Sequence, residues 1–239
     1  MGMPVVVEIA DANASQASLD AVFDYFTAID ERFSTYKPTS EITLFNEGTI
    51  AEAQLSEEMK TVFHLSEETK KLTNGFFDID FAGTRDPSGL VKGWAIHNAA
   101  DILRKKGFKN FYVEVGGDIE VAGKNNSGTL WSIGIRNPFK REEVVKVVYL
   151  DNKGIATSGS AVRGLHVYNP KEKRPAADMV SMTVIGPNIY EADRFATAAF
   201  AMGKSGIHFI EGLPGFEGYM IDHDGIATYT SGFEKYTHA

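Results

Sequence analysis

Apolar residues in this chain follow two different spacings, and the order in which the spacings alternate excludes most architectures. Val5 to Ile9 is a short extended run. Leu19, Val22, Phe23, Phe26, Ile29 and Phe33 then recur at three- and four-residue steps, which makes one face of an amphipathic helix. Pro38 biases Lys37 away from helix and breaks the pattern. A second helix is predicted from near Ser56, with Glu57 and Glu58 in its first turn, Lys70 and Lys71 in its last, and Asn74-Gly75 as its cap. Phe76 to Ala82 is apolar but interrupted by Asp78 and Asp80, and a third helix runs from about Gly89 to Lys106, stopping at Gly107. Strands are predicted over Phe108 to Val115, Trp131 to Ile135 and Val144 to Leu150. The last is joined through Asp151 to Gly154 to Ile155-Ala156 as in a hairpin. His166 to Tyr168 and Met179 to Ile185 are extended. A fourth helix spans about Ile189 to Met202, with Asn188 as N-cap, Glu191 three residues on and Gly203 past its end. Strands and helices interleave without a regular βαβ alternation. The predicted class is α+β, a mixed β-sheet core covered by helices, with residues 1–239 as one unit.

Charge and composition remove several functions. The net charge of −8, with no Lys/Arg run, repels a phosphate backbone and excludes a nucleic-acid track. Singly scattered cations such as Arg85, Lys92 and Arg163 suit a local anion site better. The absence of cysteine excludes disulfides, thiolate metal sites and cysteine nucleophiles. No stretch approaches the roughly 20 apolar residues needed to cross a bilayer, so no membrane insertion is expected. The expected compartment is the cytoplasm, on the lack of a basic leader before Val5; an exported protein whose signal had been removed would read the same.

Four constellations carry chemistry, and each has an ordinary explanation beside it. Asp193 and Thr197 lie four apart on a predicted helix, so a carboxylate and a hydroxyl share one face. Such a pair, with waters and substrate phosphates, is how Mg²⁺ is held, but a solvated Asp and a Thr bonded to its own backbone have the same spacing. Asp86-Pro-Ser-Gly89-Leu-Val-Lys92-Gly93 feeds a helix N-terminus, whose unpaired N–H groups attract anions. It is neither a Walker nor a dinucleotide-fold pattern, and a plain capped helix looks alike. His166 on an extended segment can take a proton near neutral pH, or can be a structural histidine. Gly116-Gly117-Asp118 and Thr157-Ser158-Gly159 are turns with N–H groups that can face a ligand, or simply turns. His64, His97, His208, His223 and His238 receive no role.

Taken in order, these blocks are far more specific than any one of them. Phe33 to Ile42, Gly75-Phe-Phe-Asp78, Asp86 to Ala95, Val115-Gly-Gly-Asp118, Ala156-Thr-Ser-Gly159, His166-Val-Tyr-Asn-Pro170, Thr183 to Ile185 and Ala192 to Thr197 run along essentially the whole chain. In this order the chain resembles the ApbE family, the FAD:protein FMN transferases. The resemblance implies a domain that binds FAD with Mg²⁺, cleaves its pyrophosphate, attaches FMN by a phosphoester to a Thr or Ser of a target protein and releases AMP. The implied partner is a protein with an acceptor hydroxyl, as in the FMN-binding domain of a redox protein. Asp193 and Thr197 match the family's metal ligands, and Gly89 matches a position that offers its carbonyl. Tyr36, Phe76, Phe77, Asp78, Asp86, Lys92 and Tyr168 fall where the family contacts FAD, and His166 matches the proposed general base.

The chemistry suits these residue types. Phosphoryl-type transfer needs charge neutralised on phosphate oxygens, an in-line nucleophile and a destination for the proton. Two positions depart from the family's pattern: Asn169-Pro170 stands where many members have Asp-Pro, and Ala196 where some have a further carboxylate. An FAD pyrophosphatase, with water as acceptor, shares every one of these residues, and a non-catalytic FAD-binding protein is the alternative from another class.

Overall fold

The computed structural model describes residues 2–81, 83–140, 142–160 and 167–238. Strand β1 (Val5–Ile9) leads to helix α1 (Gln16–Phe33), the short helix α2 (Glu41–Asn46) and helix α3 (Glu57–Leu72). A strand pair, β2 (Asp80–Phe81) and β3 (Thr84–Arg85), precedes helix α4 (Ser88–Lys105). Then come β4 (Phe111–Val115), β5 (Asp118–Ala122), β6 (Trp131–Arg136), β7 (Val144–Leu150) and β8 (Lys153–Gly159). The short pair β9 (Tyr168–Asn169) and β10 (Arg174–Pro175) is followed by β11 (Ser181–Gly186), α5 (Ile189–Ala201), α6 (Gly206–Glu211), β12 (Glu217–Ile221) and β13 (Ala227–Tyr229).

Local signals set the helix ends. The Ser56 hydroxyl accepts from the Met59 N–H at 3.2 Å, and the Asn188 side chain accepts from the Glu191 N–H at 2.9 Å. Helix α3 closes with Asn74 and Gly75 at φ of 50° and 79°, and the Gly75 N–H reaches back to the Lys70 carbonyl at 2.8 Å. The six-residue α2, capped by Ser40, is too short to leave a periodic signature and has no counterpart in the sequence reading.

Seven strands form one sheet in the order β1-β4-β5-β8-β11-β12-β13. The α+β class expected from the sequence is present, but every pairing in this sheet is antiparallel rather than mixed. Between β4 and β5, Gly116 and Gly117 both take positive φ, 61° and 98°, so Val115 opposes Asp118 across a two-residue turn. Only glycine takes that pair of conformations readily. The hairpin expected between Val144–Leu150 and Ile155 does not form. β7 pairs with β6 instead, and β8 pairs with β5 and β11. The segment around Asn152 carries the chain from one layer to another rather than reversing it within one.

Side-chain alternation along the strands separates two cores. Ile119 and Val121 of β5, Ile155 of β8, Ile185 of β11 and Tyr219 and Ile221 of β12 meet Trp131, Ile133, Val148 and Leu150 of the β6–β7 pair and Phe233. Their neighbours on the strands, Ala122, Ala156, Met182, Val184 and Met220, join the larger core with the helices. Fully burying a side chain such as Phe111, Phe200 or Leu103 contributes about 1.5–3 kcal/mol. Helix α4 lies against α5, and α5 lies against β8 and β11. Among the described residues, no helix is long and apolar enough to cross a membrane.

Candidate active site

Small residues let α4 and α5 approach closely. Gly93 of α4 faces α5 so tightly that a methyl there would lie 2.5 Å from Asp193 Cβ and 2.8 Å from the Ile189 carbonyl oxygen. Ala192, Ala196, Ala198, Ala199 and Ala201 are buried along α5, and their small size admits neighbouring backbone. The contact brings residues a hundred positions apart into register: the Gly93 N–H donates to Asp193 Oδ2 at 2.8 Å. Lys92, one residue earlier, reaches Asp193 Oδ1 at 3.5 Å and forms an ion pair with Asp118 Oδ2. Asp118 Oδ1 accepts from the Thr157 N–H of β8 at 3.0 Å.

One turn along α5, Thr197 Oγ1 lies 3.4 Å from the Gly89 carbonyl oxygen and 3.3 Å from Ser158 Oγ. Both separations are longer than an ordinary O–H···O bond, so the Thr197 hydroxyl is loosely held. Thr157 and Thr183, cross-strand partners on β8 and β11, pair through their hydroxyls at 2.8 Å. Phe77 closes one side, its ring edge 3.3 Å from where a Gly89 Cβ would sit. Gly89 thus keeps its carbonyl accessible to Thr197 because no side chain intervenes.

The electrostatics are unusual for a carboxylate. Asp193 is 2% exposed, and its pKa is pushed up to about 7, first by burial; Lys92 opposes the rise, and the nearby charge of Asp118 adds to it. With both acids ionised, this largely buried crevice would carry one negative charge more than Lys92 balances, and a bound cation favours that ionised state. The gathered donors are all oxygens: the Asp193 carboxylate, the Thr197 and Ser158 hydroxyls and the Gly89 carbonyl. That set fits a hard divalent cation such as Mg²⁺, which binds few protein groups and completes its shell with waters and phosphates. No group of three or more His, Cys, Asp or Glu able to cage a metal occurs among the described residues.

The structure brings part of the expected set together. Gly89, Lys92, Asp193 and Thr197 converge, with Phe77 against them. Asp86 stands at the start of α4, its Oδ1 accepting the Ser88 N–H at 3.0 Å. Asp78 is engaged elsewhere, with Lys70 at 2.7 Å. Phe76 lies under the Lys171 ammonium, 4.4 Å from the ring centre. Tyr36 projects into solvent, 96% exposed, and Tyr168 opposes Pro175 in the β9–β10 pair. None of these last four makes a contact described for the cluster. His166 lies outside the described residues. The strand pair ahead of Asp86 borders a cavity of about 330 Å³ lined by Phe45, Asn46, Asp80, Gly83, Thr84 and Arg85.

Asp118 and Ser158 were visible in the sequence only as parts of two turns. Asp118 proves to open a buried strand, and the signal for it was the apolar Ile119, Val121 and Ala122 that follow it around Glu120.

Known proteins share both the sequence pattern and the fold. An FAD:protein FMN transferase of Vibrio cholerae is 26% identical over 255 aligned positions, covering 82% of this chain and 75% of that protein. The FAD:protein FMN transferase of Escherichia coli K12 is 32% identical over 150, covering 59% of this chain and 43% of the relative. This chain therefore matches less than half the length of the E. coli protein. The flavin transferase ApbE structure from Vibrio cholerae superposes with a TM-score of 0.85 at 24% identity, over 99% of this chain and 96% of that one. An ApbE protein of Thermotoga maritima gives 0.87 at 21% identity, over 100% and 97%. With the sequence model of the ApbE family matching residues 1–85 and 82–220, the chain belongs to the ApbE family.

Proposed function

We propose that this chain is a Mg²⁺-dependent FAD:protein FMN transferase and that residues 1–239 act as one unit in that reaction. The observation that carries the reading is the meeting of Asp193 and Thr197 of α5 with Gly89 and Lys92 of α4 in one largely buried crevice. Asp193, Thr197 and the Gly89 carbonyl would hold Mg²⁺. Bound there, the cation supplies charge neutralisation on the phosphate oxygens. Lys92, one turn into α4, holds a phosphate by charge. Asp86, Phe77, Phe76, Asp78, Tyr36 and Tyr168 contribute to the FAD surface, the rings against its flat faces.

In the transfer, a Thr or Ser hydroxyl of the target attacks the FMN phosphorus. The new O–P bond forms as the pyrophosphate P–O bond breaks; the bonding electrons leave on the AMP phosphate, and the hydroxyl proton passes to His166. The target is a protein bearing an FMN-binding domain.

The test is to incubate the protein with FAD, MgCl₂ and a purified FMN-binding domain. AMP release and flavin fluorescence on the denatured acceptor are followed together. Matched amounts of AMP and labelled acceptor, both abolished by EDTA, are expected. AMP and free FMN without labelled acceptor would make the protein a pyrophosphatase, and no AMP at all would refute both readings.

A further inference from the structure

The geometry points to Asp118 as a positioning residue: a buried carboxylate on β5 that fixes the Lys92 ammonium where it meets a phosphate of the dinucleotide. This inference rests on the FAD reading above and adds a residue to it. Asp118 is 1% exposed and sits directly after the Gly116-Gly117 turn, opposite Val115 of β4, and the next residue, Ile119, pairs with Ile155 of β8. Its two oxygens are divided between two tasks. Oδ1 is held by the Thr157 N–H at 3.0 Å, which orients the carboxyl plane, and Oδ2 is paired with Lys92. Asp193 Oδ1, at 3.5 Å, is the more distant of the two carboxylates on that ammonium. A lysine side chain is flexible and loses rotamer freedom when it is held. A rigid carboxylate on a central strand sets that order before the ligand arrives, so the ligand does not have to impose it.

Two physical roles for Asp118 predict opposite signs. Were it only one more negative charge near the site, neutralising it would tighten binding of an anionic ligand. As the anchor of Lys92, neutralising it loosens the ammonium and weakens binding.

The experiment is a double-mutant cycle on FAD affinity, read by flavin fluorescence in EDTA so that no turnover occurs. It uses Asp118→Asn, Lys92→Ala and the pair, with circular dichroism and thermal melting as checks of folding. Each single change should weaken FAD binding by roughly tenfold, the loss of about one charge-assisted hydrogen bond. The double variant should bind no worse than Lys92→Ala alone, because Asp118 acts through Lys92. Unchanged or tighter binding in Asp118→Asn, or losses that multiply in the double variant, overturn the role. Should Asp118→Asn not fold, Asp118→Glu keeps the charge, moves it by one carbon, and gives the same cycle. A parent that binds FAD but releases no AMP with Mg²⁺ and acceptor refutes the transferase reading while the cycle still decides Asp118. A parent that turns over FAD with multiplying losses refutes Asp118 alone, and a parent that binds no FAD refutes both.

Discussion

The backbone N–H of Gly93 donates to the Asp193 carboxylate at 2.8 Å, and this bond is possible only because residue 93 has no side chain. Helices α4 and α5 both line the crevice, and their separation is set at that point. A carboxylate that must hold charge in a dry place gains a donor from the neighbouring helix there.

Gly93→Ala should therefore cost stability as well as disturb the Asp193 carboxylate. Its methyl would lie 2.5 Å from Asp193 Cβ and 2.9 Å from Asp193 Oδ2, so the helices must part. Overpacking of this kind costs about 1–3 kcal/mol. Urea unfolding at equilibrium measures it; a midpoint within error of the parent would show that the helix contact is softer than the distances imply.

Asp193→Asn should be stable and nearly inactive. The amide oxygen can still accept from Gly93, but the charge for Mg²⁺ is gone, so turnover should fall by about two or more orders of magnitude. Thr197→Val should cost less, since a hydroxyl contributes less than a carboxylate. The stability effect has a definite sign. Because burial raises the folded pKa of Asp193 to about 7 from 3.8, its contribution is full below pH 3.8 and is lost as pH rises towards 7. In EDTA, the variant should lose less stability than the parent between those pH values. Normal turnover of Asp193→Asn at limiting Mg²⁺ would remove this residue from the metal site.

Away from the crevice, His97 of α4 faces the buried Glu120, its Nδ1 3.0 Å from Glu120 Oε2. Glu120 also pairs with Arg104 at 2.5 Å and accepts the Ile189 N–H at 3.1 Å, so one carboxylate ties both helices to β5. Burial opposes protonation of His97, but the hydrogen bond and charge of Glu120 outweigh it and the pKa is raised. The resulting stability is fully present below pH 6.5 and is lost as pH rises through the higher folded value. His97→Gln should lose roughly 1–3 kcal/mol at pH 6 and visibly less at pH 9. Equal losses at both pH values, by urea titration, would show that the histidine's charge is not what matters.

For His166, the prediction rests on the sequence block His-Val-Tyr-Asn-Pro and on the need for a base near neutral pH. His166→Ala should lose about 10²–10⁴-fold in transfer rate while FAD and Mg²⁺ still bind. If the variant transfers FMN at the parent rate, the base lies elsewhere. If it no longer binds FAD, its role is in binding.

What could be read from the sequence was set by short-range physics. A cap acts across three residues and an amphipathic face repeats every three or four, so the ends of α3 and α5 and the shared face of Asp193 and Thr197 were legible before any fold. The block order also pointed to the family without a structure. The partnership of strands was not legible: β7 and β8 adjoin in sequence, yet one covers the far core and the other lies in the central sheet. Nor were the partners of the buried charges. Asp118 and Glu120 alternate with Ile119 and Val121 along β5, a pattern that in sequence reads as solvent-facing polar residues. Only the packing of α4 and α5 on that face turns them inward, where Asp118 meets Lys92 and Glu120 meets His97 and Arg104. Local sequence determines which side chains share a face; long-range packing determines what that face meets, and the charges of the crevice depend on the second.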